Sequence, residues 1–224
     1  MADKWLTFDC YGTIADWNTG MAGALREVAG TGAGRLLAAY HRAELELEAG
    51  PGWMPYREVL TGGLARAAGR EAIALAKGGE EAFVRAWPDM PVFEDAGPAL
   101  AALQEQGWRL AILTNCDDDL FATTRRRLPV RFDLWVTAEE VGGYKPDLAH
   151  FRRFADRAMA SSANWIHVAN SWVHDILPAA RLGLRSVWVD RDGTGHPAKL
   201  AERRVSTMRR LPEAIDAVSA IPPR

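Results

Sequence analysis

The sequence predicts an α/β fold in which helices cover both faces of a parallel sheet. Three observations in the 224 residues support this. Short apolar runs recur along the chain, segments with helical periodicity separate the later runs, and a long stretch after the first run has no strand pattern. Strands that alternate with helices are typical of parallel sheets joined by right-handed crossovers.

Five apolar runs are predicted to be strands. Each is short and is bounded by turn or charged residues, as expected of a strand buried on both faces. They cover residues 5–8, 110–113, 134–136, 166–169 and 186–189.

Helices are predicted before the second, fourth and fifth runs, over residues 97–106, 148–160 and 175–182, and Gly183 ends the last of these. Beyond Asp190 the chain has a polar, loop-like composition until a final amphipathic segment at 211–218.

Residues 17–88 interrupt this alternation. They contain helical patterns rich in Ala, Leu, Glu and Arg but no strand pattern, and the Pro-Gly-Trp-Met-Pro segment at 51–55 separates two of the helices. We therefore predict a core formed by residues 1–16 and 89–224, with residues 17–88 as a helical insert.

The composition favours a small-molecule partner. The 27 basic and 29 acidic side chains give a net charge of -2, so there is no excess positive charge to bind nucleic acid or an anionic membrane. No apolar run is long enough to cross a bilayer, and the first residues lack a signal-peptide pattern. We expect a cytoplasmic protein in which Cys10 and Cys116 are reduced.

Polar residues follow four of the predicted strands. Because ligands of open parallel sheets collect at the carboxyl ends of the strands, these residues are expected to form one site. They are Asp9, Tyr11, Gly12 and Thr13 after the first strand, Thr114 and Asn115 after the second, Gly142, Gly143 and Lys145 after the third, and Asn170, Ser171 and Asp175 after the fourth.

Asp9 is the predicted nucleophile of this site. A neighbouring ammonium, that of Lys145, is expected to keep the carboxylate ionised by lowering its pKa. An ionised Asp attacks to form an ester or acyl-phosphate that water then hydrolyses. Asp175 could orient Lys145 or that water, while Thr13, Thr114 and Asn115 are expected to donate hydrogen bonds to an anion.

These segments resemble, in order, the four motifs of the haloacid dehalogenase superfamily. The motifs are Phe8-Asp9-Cys10-Tyr11-Gly12-Thr13, Leu113-Thr114-Asn115, Tyr144-Lys145-Pro146, and His167-Val168-Ala169-Asn170-Ser171 with Asp175. The resemblance spans nearly the whole chain. It implies a Rossmann-like, doubly wound core with a helical cap inserted after the first strand, Asp9 as nucleophile, and Thr114 and Lys145 as anion-binding groups.

Two positions favour dehalogenation over phosphate hydrolysis within this superfamily. Phosphatases of the superfamily carry a second Asp, which protonates the leaving oxygen, where this chain has Tyr11. A phenol is a poor general acid at neutral pH, whereas a halide leaves without a proton. The phosphatases also bind Mg²⁺ through a carboxylate where this chain has the neutral Asn170. We therefore predict no metal and no cofactor.

The first motif followed by Asp16-Trp17, together with residues 55–60, is similar to type II 2-haloacid dehalogenases. That resemblance implies attack by Asp9 on C2 of a short 2-haloacid. Members of that family place an Arg near the end of the first long cap helix to receive the halide, but this chain has Glu44 to Gly50 there. Arg42 or Arg57 could take its place, and Arg42 is the predicted substrate-binding residue, with Tyr11 and Asn170 shaping the pocket.

Three hypotheses follow from the sequence. The first is a hydrolase that dehalogenates a short 2-haloacid through an ester on Asp9. The alternatives are a Mg²⁺-dependent phosphatase of weak activity and a catalytically idle protein that binds an anion. In each the partner is a small anionic molecule rather than nucleic acid or membrane. The sequence leaves the assembly open between a monomer and a homodimer.

Overall fold

Six parallel strands form one sheet with the order β3-β2-β1-β4-β5-β6. The structure, a computed structural model, describes residues 3–222. The strands are β1 (Trp5–Phe8), β2 (Arg109–Thr114), β3 (Leu134–Thr137), β4 (Trp165–Ala169), β5 (Arg185–Val189) and β6 (Arg203–Val205). All five predicted strands are confirmed within one residue at either end. The prediction missed β6, an edge strand in which both arginines are exposed.

Four helices follow β1 within residues 17–86. They are α1 (Trp17–Ala29), α2 (Ala33–Glu48), α3 (Tyr56–Arg70) and α4 (Ala82–Ala86). We call residues 17–86 the insert. It contains no strand among its residues, as predicted, while the division of the chain into domains at residues 16/17 and 88/89 stays a prediction.

The insert has its own packed interior. Leu36, Ala39, Tyr40 and Ala43 recur at helical spacing and are buried on one side of α2. Helix α3 packs closely against them at Gly63, where an added Cβ would lie 2.9 Å from the Tyr40 ring. Any larger residue at position 63 would therefore push the two helices apart.

Six helices cover the sheet. They are α5 (Ala96–Glu105), α6 (Asp118–Arg125), α7 (Ala138–Val141), α8 (Ala149–Ala158), α9 (Leu177–Arg181) and α10 (Leu211–Ser219). Helices α5 and α10 pack with Leu6 and other residues of one face, and α8 and α9 pack with Trp5 and other residues of the opposite face. Successive strand residues point to opposite faces, so this arrangement gives the predicted α/β fold with both faces covered.

The predicted helix at 175–182 starts earlier than expected. A single π-helical turn, Trp172–Ile176, precedes α9, and the Ser171 hydroxyl caps it by accepting a hydrogen bond from the His174 backbone N–H at 3.1 Å. This turn brings His174 and Asp175 close to the carboxyl end of β4.

The chain changes direction across the sheet at β1. From β1 it runs to β2 and β3 on one side and later to β4, β5 and β6 on the other. A crevice forms outside the carboxyl ends of strands at such a point, which is where open α/β sheets bind ligands.

Two contacts hold the insert over this crevice. The Asp117 carboxylate accepts hydrogen bonds from the backbone N–H groups of Tyr56 and Arg57 at 2.7 and 2.9 Å. The Tyr144 hydroxyl donates to the Met54 carbonyl at 2.6 Å. The insert therefore forms the upper boundary of the site.

Candidate active site

A cavity of about 360 Å³ lies between the carboxyl ends of the strands and the insert. The strand ends contribute its core side, which includes Asp9, Tyr11, Asn115, Lys145, Asn170 and Asp175. The insert contributes its insert side, where Trp17, His41, Glu44, Leu45, Glu48 and Tyr56 line the space. These six residues, with Gly12 and Ser171, bring eight of the residues predicted at the strand ends into one cavity.

Lys145 lies between two buried carboxylates on the core side. Its Nζ donates to Asp9 Oδ1 at 2.9 Å, to Asp175 Oδ1 at 2.7 Å and to the Leu113 carbonyl at 2.9 Å. An ammonium has three protons, so each proton is used in one of these bonds. Lys145 therefore fixes the two carboxylates relative to each other.

The two carboxylates differ in acidity. Burial raises the pKa of Asp9 above its usual value even though the Lys145 ammonium opposes it. Burial has the same tendency at Asp175, but Lys145 and His167 outweigh it and lower the pKa of Asp175 to about 2. For Lys145, burial lowers the pKa, and the two carboxylates more than compensate and raise it. The expectation that Lys145 lowers the pKa of Asp9 below its ordinary value is therefore wrong, because desolvation dominates there.

Thr13 holds the second oxygen of Asp9. Its hydroxyl donates to Asp9 Oδ2 at 2.9 Å and accepts from the Asn170 backbone N–H at 2.8 Å. Gly12, with φ of 86°, makes the turn between these residues, and an added Cβ would lie 3.3 Å from the Asn170 amide. Thr13 does not line the cavity, so it contacts the carboxylate rather than the space for a substrate.

A buried chain of hydrogen bonds lies behind Asp175. Trp165 Nε1 donates to the Thr7 hydroxyl at 2.7 Å, and that hydroxyl contacts His167 Nδ1 at 2.7 Å. The other nitrogen, His167 Nε2, is 3.0 Å from Asp175 Oδ1. Sequence reasoning placed Thr7 and His167 in predicted strands and His167 also in the fourth motif, but gave neither a role. Nothing in an apolar run distinguishes a histidine that contacts a carboxylate from one that packs in the core.

Asn115 fixes the loop that carries Lys145. Its side-chain oxygen accepts from the Lys145 N–H at 2.7 Å, and its amide donates to the Lys145 carbonyl at 3.0 Å. The same amide lies 3.4 Å from Glu48 Oε1 on the insert side. Asn115 therefore lines the cavity and also positions the ammonium.

Tyr11 lines the cavity, but its proton is used away from Asp9. The Thr124 hydroxyl donates to the Leu120 carbonyl, so the Tyr11 hydroxyl, 2.9 Å from Thr124 Oγ1, donates to it. Burial raises the pKa of Tyr11 well above its usual value. Both features make Tyr11 unsuited to protonating a leaving group.

Asn170 also lines the cavity, where its amide donates to Asp192 at 3.2 Å. As a neutral side chain it adds no charge for a hard cation. Among residues 3–222 no three carboxylate, imidazole or thiol groups stand together as a metal site. The residues present therefore do not fit a Mg²⁺ ion held by protein ligands alone.

Two further predicted substrate contacts, Thr114 and Arg42, lie outside the cavity, as Thr13 does. Thr114 is fully buried, and its hydroxyl faces Cys116 Sγ at 3.6 Å, because the end of β2 directs it into the interior. Arg42 is exposed and lies 3.4 Å from Glu71, because it is on a different side of α2 from the cavity. Arg57 likewise pairs with Asp119 at the surface. The structure therefore does not bring Thr114, Arg42 or Arg57 to a substrate.

The insert side is formed mainly by one face of α2, which sequence reasoning missed. His41, Glu44, Leu45 and Glu48 follow one another at helical spacing and all line the cavity. The hydroxyls of Tyr40 and Tyr56 donate to Glu44 Oε1 at 3.2 and 2.5 Å. This spacing was the signal that could have identified the face.

Glu48 links the insert side to the core side. Its side chain is only 6% exposed, and its Oε2 lies 3.3 Å from His174 Nε2. Burial raises the pKa of Glu48. Burial lowers the pKa of His174, but Glu48 outweighs this and raises it overall. His174 therefore faces the cavity with a carboxylate beside it. The sequence alone gave no reason to prefer this role over that of a packing residue.

Similarity to known proteins agrees with this geometry. Residues 4–183 match the family model of the haloacid dehalogenase-like hydrolases. The (S)-2-haloacid dehalogenase 4A of Burkholderia cepacia is 25% identical over 83% of this chain and 82% of that protein. The phosphoserine phosphatase of Thermus thermophilus is 34% identical over 65% of this chain and 59% of that protein. The chain is therefore similar both to a protein named as a dehalogenase and to one named as a phosphatase.

The fold is also that of a solved dehalogenase. The L-2-haloacid dehalogenase RSc1362 superimposes with a TM-score of 0.86 at 21% identity, covering 96% of this chain and all of that one. Within residues 3–222 no helix has the length and apolar character needed to span a membrane. The family model matches most of the chain, the four motifs meet at one cavity, and the fold is shared. This chain therefore belongs to the haloacid dehalogenase-like hydrolase family.

Proposed function

We propose that this hydrolase removes the halogen from a short 2-haloacid through an ester on Asp9. The observation that carries the proposal is the pairing of a fixed carboxylate at the cavity with a Tyr11 whose proton is donated to Thr124. A reaction whose leaving group requires no proton suits this arrangement, and halide departure is such a reaction.

The reaction has two steps. An oxygen of Asp9 attacks C2 of the substrate, a C–O bond forms, and the carbon–halogen bond breaks with its electron pair leaving on the halide. Water then adds to the ester carbon of Asp9, the 2-hydroxy acid departs, and the carboxylate is regenerated with release of one proton. The sum is haloacid plus water giving hydroxy acid, halide and a proton.

Asp175 is suited to holding the water of the second step. One of its oxygens contacts Lys145 and His167, while Oδ2 is buried and has no hydrogen-bond partner among the described residues. Asp175 also lines the cavity. An unsatisfied buried acceptor is costly, so a water that donates to Oδ2 would remove that cost and be oriented by it.

Metal independence is part of the proposal. The Lys145 ammonium already lies between the Asp9 and Asp175 carboxylates and pairs with both, and the neutral Asn170 adds no carboxylate for a cation. The names of two relatives support the dehalogenase reaction, and the phosphatase names of two others define the alternative that the test must exclude.

The test is halide release from a panel of 2-chloro, 2-bromo and 2-fluoro acids in the presence of a chelator. We expect release by the wild-type protein and none by Asp9→Asn. In ¹⁸O water, mass spectrometry is expected to find label in Asp9 after several turnovers. Hydrolysis of an aryl phosphate that needs Mg²⁺ would instead indicate a phosphatase. Anion binding by the folded protein without turnover would indicate an idle binding protein.

A further inference from the structure

On the core side, the Lys145 ammonium has no proton free for the leaving halide. Lys145 uses all three of its protons on Asp9, Asp175 and Leu113. Arg42 and Arg57 are held at the surface by Glu71 and Asp119. The anion formed in the first step must therefore be received by a different group.

We propose that His174, held by Glu48, receives the leaving halide. This inference rests on the proposed function and assigns a residue to its first step. The imidazolium would donate a hydrogen bond from Nδ1 to the departing halide, with no proton transferred. The halide carries the bonding electrons away, and the positive ring stabilises the charge that develops on it.

The position of the ring supports this assignment. His174 lines the same cavity as Asp9, and its Nε2 faces Glu48 Oε2 at 3.3 Å. Its Nδ1 has no hydrogen-bond partner in the part of the chain that the structure describes. One ring nitrogen is thus held by the insert while the other remains available.

The charge of the ring follows from its neighbours. The charged groups that act on His174 are Glu48 from α2, Asp175 from its own turn and Lys145 from the loop before α8. Two of these are carboxylates, and Glu48 is nearly fully buried. Leaving Glu48 without a cation would bury an uncompensated charge, which favours the imidazolium form.

The other histidines at the cavity are less suited to this role. His41 has both ring nitrogens engaged, Nδ1 with Glu44 at 3.5 Å and Nε2 with Asn18 at 3.2 Å. His196 is exposed and stacks on Trp172, so an anion beside it would stay hydrated. An exposed cation stabilises an anion weakly because water screens the charge.

Bromide titration tests the site without turnover. The pKa of His174 in the wild-type protein is measured by NMR of the imidazole signals in sodium bromide and in sodium gluconate of equal ionic strength. We expect bromide to raise the pKa by about 0.5 to 1 unit, because an adjacent anion favours the charged ring. His150, whose Nε2 contacts the Thr114 carbonyl at 3.1 Å and whose pKa burial lowers to about 3, provides a reference signal that should not titrate in the range of His174. An unchanged His174 titration would overturn the proposal.

Turnover by two variants tests the role in the reaction. We expect His174→Leu, which removes both the donor and the positive charge, to slow chloride release by about a hundredfold, the scale on which one lost donor acts, and bromide release by less. Glu48→Gln removes the carboxylate that keeps the His174 ring charged and should lower the pKa of that ring. As the pH is raised, activity is therefore expected to decline at a lower pH in this variant than in the wild type. Glu46→Gln is the matched control on the exposed side of α2, where Glu46 pairs with Arg70.

The outcomes separate the two proposals. Equal losses for chloride and bromide in His174→Leu, with an unmoved pH profile in Glu48→Gln, would overturn the role of His174. A wild-type protein that releases no halide would overturn the proposed function, and the bromide titration would still decide whether His174 binds a halide.

Discussion

The two sides of the cavity are built differently. On the core side, Asp9, Lys145 and Asp175 lie at strand ends or close to them and are joined by direct bonds of 2.7 to 2.9 Å. On the insert side, Glu44 and Glu48 come from one helix face and are held by phenols, an amide and an imidazole. The core side carries residues of the four motifs, and the insert side lies outside those motifs. We infer that the core side performs the reaction and the insert side selects the substrate.

The largest effect is expected from Asp9→Asn. On the proposed function the nucleophile is lost, and kcat should fall by about 10⁴-fold or more. The measurement is halide release under single-turnover and steady-state conditions. Asp156→Asn, the same change on the exposed side of α8, is the control. Activity retained in Asp9→Asn would mean that the core side does not perform the reaction.

Lys145→Met is expected to cost about 3 to 5 kcal/mol of unfolding free energy, since it leaves two buried carboxylates without their cation. Urea unfolding measures this. The comparison is Arg70→Met, which breaks an exposed pair with Glu46 and should leave the free energy of unfolding nearly unchanged, because water screens the pair. Similar costs for the two variants would contradict the buried ion pairing on the core side.

The pH dependence of stability sharpens the same comparison. The pKa of Asp175 is lowered from 3.8 to about 2, so its carboxylate stabilises the fold above its unfolded pKa. That contribution, about 2 kcal/mol, is lost as the pH falls from about 4 towards 2. The raised pKa of Asp9 acts in the opposite direction. Asp175→Asn lacks this titrating carboxylate, whereas the control Asp156→Asn keeps it. We therefore expect the free energy of unfolding of Asp175→Asn to fall less between pH 4 and pH 2 than that of Asp156→Asn, as measured by urea unfolding at each pH.

The smallest effect is expected from Arg42→Ala. Its guanidinium pairs with Glu71 at 3.4 Å in solvent, so the free energy of unfolding should change by less than about 0.5 kcal/mol. Halide release should keep its kcat/KM. A large rise in KM would show that Arg42 reaches the substrate in solution and that the selecting surface extends beyond the insert side.

The sheet and the core side could be predicted from local sequence patterns. Buried parallel strands are continuous apolar runs, and the residues after them, such as Asp9 and Asn115, meet because the carboxyl ends of the strands share one edge. The pattern failed at β6, whose Arg203 and Arg204 are exposed on an edge strand. An edge strand need not be apolar, so composition does not distinguish it from a loop.

The insert side could not be predicted in the same way. Which face of α2 meets the core depends on how the whole insert is placed, and Arg42 and His41 are adjacent in sequence but lie on different sides. The same limit applies to Thr114, whose side-chain direction depends on the end of β2. For Asp9, burial and the Lys145 ammonium act in opposite directions, and the balance between them is not readable from sequence.

The anchoring of α3 by Asp117 has a consequence for divergence. The Asp117 carboxylate binds backbone N–H groups of Tyr56 and Arg57, which every residue except proline possesses. Replacing the side chains at positions 41, 44, 45 and 48 leaves these two bonds in place. A combinatorial library restricted to those four codons would lose the contacts of Glu48 but keep the Asp117 attachment of α3 while it explores new substrate preferences.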